Sequence, residues 1–182
     1  KTVTVFTRPF DNHAAQWNFG LTKVDTAWVL ALDADYEISD DLIDELKRLA
    51  PSDRISGYDA RFGYRIFGRR LHGALYPPHT VLYRADRGSY CNVGHTQRLT
   101  LQGQTEPLSG KIFHDDRKQL HRWFASQQNY ARLEANYLLS QVRVDLRASD
   151  RIRLMAWPAP LLILIYTLVV KGCALQGWPG WL

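Results

Sequence analysis

From Ala27 to Leu32 the chain reads AWVLAL, apolar at every position, and it then meets two aspartates separated by one alanine, Asp33 and Asp35. A strand apolar on both faces predicts a central, parallel position with helices packed on either side. Such a core has no place for two unpaired carboxylates, so both are expected where the strand leaves it. Upstream, the alternation at Val3 and Val5 predicts a short strand over residues 2–7, broken at Pro9. Asp11 then stands where it can cap a helix beginning near Asn12. Downstream, Ser39 is an N-cap, Asp40 and Asp41 complement a helix dipole, and Leu42, Ile43, Leu46 and Leu49 form an apolar stripe that Pro51 ends. Strand, helix, strand, helix opens an α/β fold.

Between Ile55 and Ile112 the pattern changes to short aromatic and β-branched segments such as GYDARFGYRIF, TVLYR and TQRLTLQG, broken by glycines and by Pro77-Pro78. This half predicts mixed sheet and loops. Helical spacing returns from Lys118 to Ser140, where Leu120, Trp123, Phe124, Gln127, Tyr130, Glu134, Tyr137 and Leu138 follow one side. The carboxyl end is different again: LMAWPAPLLILIYTLVV runs 17 residues without a charge, after Arg143, Arg147, Arg151 and Arg153. That run is at the short edge for a membrane-crossing helix, and Pro158 and Pro160 interrupt its first turns. It predicts a segment lying in the membrane interface, arginines toward anionic headgroups; a helix buried against the domain is the other reading.

The net charge of +5 and pI of about 9.3 suit an acidic ligand, anionic lipid or nucleic acid without choosing among them. Cys91 and Cys173 are far apart and lack Cys or His neighbours at zinc-ligand spacing, so neither a disulfide framework nor a structural zinc is indicated, which points to the cytosol. The chain opens on a strand-like run with no initiator Met or signal-peptide pattern, and reads as cut from something longer.

The Asp-x-Asp narrows the chemistry. A calcium-binding EF-hand loop needs Gly at its sixth position and Glu at its twelfth, where Ile38 and Asp44 stand. An aspartyl-nucleophile phosphatase also places Asp-x-Asp after an apolar strand, but no convincing downstream Lys and acidic partners complete it, so it stands as the weaker enzyme alternative. What remains is a divalent cation, Mg²⁺ or Mn²⁺, shared between a carboxylate and a diphosphate, with Asp35 on the metal.

RPFDNHAAQWNFGL, WVLALDADYEIS, FGRRLHGALYPPHTVLYRADRG, GHTQRL, GKIFHDD and RWFASQQNYARLEA occur in this order. As an ordered set covering about residues 3–140 they resemble the family 2 glycosyltransferases that add sugars to the lipopolysaccharide core. The resemblance implies an α/β fold of GT-A type, a mixed sheet flanked by helices. It divides the chain into a partial glycosyltransferase domain, residues 1–140, and a basic then apolar membrane-associating segment, residues 141–182. It also implies a nucleotide-diphosphate sugar donor and inversion by direct displacement. The acceptor would be a glycolipid or polysaccharide precursor on the cytoplasmic face of the inner membrane.

By position in that pattern, Asp33 faces the sugar or ribose, and Asp35 and His114 hold the metal. Gln16 and Asn18 match a donor-side polar helix. Arg69, Arg70 and Tyr76 fall to the acceptor or to phosphate, with Lys111, Arg117 and Lys118 as further cations. The family's opening strand and loop, which help hold the nucleobase, have no counterpart. Two departures stand out. Relatives commonly carry His-Glu where this chain has GHTQRL, and Val81 replaces the Arg of an RLF segment. Without that Glu, the candidates for the catalytic base are His95, Asp115 and Asp116, His95 being favoured because unperturbed imidazole titrates at about pH 6.5.

Two other classes compete with this reading. A non-catalytic, membrane-docked binding module accounts for the missing base and missing start. Nucleic-acid binding ranks last, since the arginines are spread over all segments and no stacking motif occurs.

Overall fold

The computed structural model describes residues 3–73, 76–115, 117–142 and 146–181. Asp116 and Arg143, singled out above, lie outside them. The architecture is mixed α/β. Helix α1 (His13–Leu21) precedes strands β1 (Trp28–Leu30) and β2 (Tyr36–Ile38) and helix α2 (Asp40–Arg48). A sheet-rich stretch follows: β3 (Ile55–Ile66), β4 (Arg69–Arg70), β5 (His79–Arg84), β6 (Gly88–Val93), β7 (Thr96–Leu101) and β8 (Gln104–His114). Helix α3 (Leu120–Ser140) and the short α4 (Ala148–Leu154) and α5 (Pro158–Ile165) complete the main elements.

The main sheet runs β1-β5-β3-β8-β2, with β4 paired to β3, while β6 and β7 form a separate hairpin. Among the described residues β3 and β8 pair in parallel and the other pairings of this sheet are antiparallel. The run before Asp33 is therefore not a central parallel strand. β1 is a three-residue edge strand, antiparallel to β5. Its apolar residues find cover without a central place: Trp28 lies between Tyr58, 5.7 Å away, and the Arg84 guanidinium, 4.8 Å away, and Leu30 and Leu32 pack on the core. The chain then passes from one edge of the sheet to the other within residues 31–35. The aspartates sit in that crossing.

The expected amino-terminal strand is absent among the described residues. Val3 and Val5 are each 81 % exposed, and no strand edge is there to pair with them. Asn12, not Asp11, caps α1, accepting a hydrogen bond from the Ala15 amide at 2.8 Å, while Asp11 pairs with Arg8.

α2 forms where its pattern predicted and is the helix that closes the core. Ser39 Oγ accepts from the Leu42 amide at 3.3 Å and from the Lys111 amide at 3.1 Å, so one hydroxyl caps the helix and ties it to β8. Glu45 accepts from the Ser109 and Gly110 amides, each at 2.9 Å. The approach is close enough that a Cβ at position 110 would lie 2.5 Å from Leu42 Cα, which requires glycine there. Leu42 thereby enters a core of Ile55, Tyr58, Ala60, Phe62, Val81, Leu108 and Ile112.

The apolar carboxyl end folds as short pieces rather than one helix. α4, α5, a π-helical turn at Tyr166–Val170 and two 3₁₀ turns follow one another. Among the described residues no helix is long and apolar enough to cross a membrane. Its last part docks on the domain: Gln176 accepts from the His72 amide at 2.8 Å and donates to the Arg70 carbonyl at 3.3 Å, and Cys173 is buried beside Gly73. Along α3 the amino-terminal half of the apolar stripe stays open, Leu120 at 68 % and Phe124 at 55 % exposure, and only Leu138 is buried.

Leu42→Ala is expected to destabilise the fold by about 3 kcal/mol through the cavity it leaves. Ser39→Ala is expected to cost about 1 kcal/mol through the lost cap. Urea denaturation checks both, and a larger loss from Ser39→Ala than from Leu42→Ala contradicts this account of α2.

Candidate functional site

β8 carries the chemistry because it pairs on both sides at its carboxyl end. His114 is opposite Tyr36 of β2 and Tyr64 of β3. Its ring is held edge-on by both phenols, with centroids 5.6 and 5.3 Å away. Its Nε2 then meets Asp35 Oδ2 at 3.1 Å. Two residues 79 positions apart converge because the chain crosses the sheet just before β2.

Around this pair the surroundings are aromatic. Tyr36 packs on Phe62 at 5.3 Å, Phe62 stacks on His79 at 4.2 Å and 7°, and Tyr76 lies about 6 Å from Phe62, Tyr64 and His79. Burial, then the negative charge of Asp33, pushes the Tyr36 phenol far above its ordinary value, with a side-chain hydrogen bond to Asp33 and the charge of Asp35 adding to it. Burial and Asp33 raise Tyr76 in the same direction, and Tyr130 and Asp35 contribute. Both phenols therefore stay protonated and present hydroxyls beside the carboxylates. Desolvation lowers the His79 pKa, opposed by the Pro77 carbonyl and by Asp33 and Asp59. An edge of that ring stays exposed, which limits the effect.

Asp35 and His114 can act as a pair of ligands open on one side, since the Asp35 side chain is 38 % exposed. Among the described residues no three His, Cys, Asp or Glu side chains gather as a metal cage. One carboxylate and one imidazole are a partial donor set, which a divalent cation would complete with phosphate and water.

The other residues singled out in the sequence fall in separate places. Asp115 is 9 % exposed, with Oδ2 bound by Arg117 at 2.8 and 3.0 Å and Oδ1 buried without a partner among the described residues. Arg69 lies over Trp178 at 5.4 Å, and Arg70 shares Phe113 with Arg65, each guanidinium 4.4 Å from the ring. These arginines hold the ribbon and the carboxyl end together. They do not approach Asp35 or His114 through any described contact.

On α1, the Asn18 amide donates to the Tyr90 carbonyl at 2.9 Å and accepts from the Tyr90 N–H at 2.8 Å. Its side chain thus acts as an extra strand segment for β6, which commits one of its N–H groups and one lone pair of its oxygen to the fold. Gln16 lies on the same helix with its Oε1 buried and unpartnered among the described residues.

His95, at the tip of the β6–β7 hairpin, meets a residue that sequence reasoning placed only in a helical stripe. Its Nδ1 is 2.9 Å from Glu134 Oε2, and its ring packs on Tyr130 at 5.1 Å. Arg153 of α4 donates to the other Glu134 oxygen at 3.0 Å. The signal that was available is the spacing of Tyr130 and Glu134, one helical turn apart on a single face. Which loop that face would meet is a tertiary fact.

Neither protein-family profiles nor the curated proteins contain a match to this chain.

Asn18→Ala is expected to lower stability by about 1–3 kcal/mol, because it strands the N–H and carbonyl of Tyr90, while nucleoside-diphosphate affinity stays unchanged. Urea midpoints and calorimetry check this. An affinity loss with normal stability contradicts the structural role.

Proposed function

We propose that this chain is the catalytic part of an inverting glycosyltransferase of GT-A type, transferring a sugar from a nucleotide-diphosphate donor to an amphiphilic glycolipid or polysaccharide-precursor acceptor. The observation that carries the reading is the convergence of Asp35 and His114 at 3.1 Å, beside Asp33 in an aromatic setting. The ordered resemblance over residues 3–140 adds the donor class.

Asp35 and His114 would hold Mg²⁺ or Mn²⁺. When bound, the cation neutralises charge on the leaving diphosphate. Asp33 accepts hydrogen bonds from sugar or ribose hydroxyls, and the protonated Tyr36 and Tyr76 donate to donor oxygens. His95 takes the proton of the acceptor hydroxyl, since the His-Glu carboxylate of the resembling enzymes is missing from GHTQRL.

The membrane part of the reading rests on exposure. Trp157 is 74 % exposed, Leu161 to Ile165 are each about half exposed, and Val169 is 71 % exposed, with Arg147, Arg151 and Lys171 near by in the chain. Tryptophan at an interface, with cations toward anionic headgroups, suits the cytoplasmic face of the inner membrane without a span.

Two experiments test this. In calorimetry with UDP and Mn²⁺, Asp35→Asn is expected to weaken metal-dependent binding about tenfold or more; equal affinity in both proteins removes the metal assignment. Metal-dependent binding with no cleavage of any nucleotide sugar leaves the non-catalytic binding module. In flotation with phosphatidylglycerol vesicles, the chain is expected to rise with lipid, and replacing Trp157, Leu161 and Val169 by Glu is expected to keep it in solution. Equal flotation of both proteins contradicts the docking surface.

A further inference from the structure

The hairpin tip and α3 build a second arrangement that the motifs did not contain. Gly94 precedes His95 with φ +61°, and a Cβ there would collide with Glu134 Oε2, so the glycine is what lets the carboxylate reach the neighbouring imidazole. A carboxylate only accepts hydrogen bonds. The 2.9 Å contact therefore requires the proton on His95 Nδ1, and in the neutral imidazole this leaves the lone pair on Nε2, for which no partner is found among the described residues. The second Glu134 oxygen is held by Arg153, which also reaches Asp150 at 3.5 Å, and Tyr130 supports the His95 ring from below Glu134 on the same helix.

We infer that Glu134 is the positioning residue of the transfer reaction: it fixes the orientation and tautomer of His95, so that Nε2 faces the acceptor hydroxyl as base. This rests on the glycosyltransferase reading above. The chemistry balances simply. The hydroxyl oxygen forms the new bond to the anomeric carbon, the bond to the diphosphate breaks with its electron pair on the diphosphate, and the hydroxyl proton goes to His95 Nε2. A histidine and a glutamate that relatives of the resembling type carry side by side are here supplied by two elements, 39 residues apart. Glu134 and Arg153 also line a groove of about 340 Å³ between α3 and α4, whose other walls include Leu138, Leu139 and Leu154. An amphiphilic acceptor has an apolar surface to lie on next to the dyad.

The test uses the full chain. Long-range ¹⁵N–¹H spectra of its imidazole nitrogens at about pH 8, with the His95 signals assigned from His95→Ala, report the tautomer directly. The expected result is Nδ1–H for His95 in the wild type, shifting toward Nε2–H in Glu134→Ala. A wild-type His95 with its proton on Nε2, or a tautomer unchanged in Glu134→Ala, overturns the inference. In parallel, UDP release from UDP-glucose, UDP-galactose and their N-acetyl forms is followed with dodecyl maltoside as hydroxyl probe. Glu134→Gln is expected to lower kcat about ten- to a hundredfold with KM for the donor and Mn²⁺-dependent UDP binding unchanged. Normal kcat in Glu134→Gln also overturns it. Absence of both UDP binding and release in the wild type counts against the glycosyltransferase reading, whereas the tautomer still decides what Glu134 does to His95.

Discussion

The contact between His114 and Asp35 depends on β8 being paired on both flanks up to its last residue. Antiparallel pairing to β2 sets His114 opposite Tyr36, and parallel pairing to β3 sets it opposite Tyr64. A histidine at a strand end normally has rotamer freedom, but two phenol edges remove it. The imidazole is then aimed at the stretch before β2 where the chain crosses from one edge of the sheet to the other. The tie between α2 and β8 through Ser39, Glu45 and Gly110 keeps β2 in register, because β2 leads straight into that helix. Stability and site geometry are coupled in the same few residues.

The two polar clusters differ in how they handle charge. Near Asp33 and Asp35, burial first and then the carboxylates keep the tyrosines neutral. Around His95, charge is balanced by alternation, with Glu134 between an imidazole and the Arg153 guanidinium. The first setting suits a cation and a polyanion. The second suits a group that gives and takes one proton.

Much of this was legible in the chain, and the limits have physical causes. α2 was readable because its cap, dipole charges and apolar stripe agree, and the stretch from Ile55 to Ile112 because aromatic and β-branched residues broken by glycine form strands. His114 was matched to Asp35 by resemblance alone, and the geometry brings the two together. β1 was misread because an all-apolar run does not distinguish a central strand from an edge strand covered by Trp28, Tyr58 and Arg84. Val3 and Val5 alternate correctly but have no neighbour to pair with, and alternation carries no information about partners. Asn18 was assigned to a ligand, yet its amide copies a backbone segment, which no spacing rule reveals. Glu134 was hidden for the converse reason: a polar residue within an apolar helical stripe reads as an imperfection until the hairpin it meets is known.

The central claim is that Asp35 and His114 together bind a divalent cation at the diphosphate. Pulsed electron paramagnetic resonance on Mn²⁺ with UDP and the intact chain tests it most directly, because couplings to nitrogen and phosphorus identify the ligands themselves. The account predicts one imidazole nitrogen and phosphate phosphorus on the same Mn²⁺, with the nitrogen coupling lost in His114→Ala and the affinity reduced in Asp35→Asn. Mn²⁺ coupled to phosphorus and water alone in the wild-type protein would contradict it.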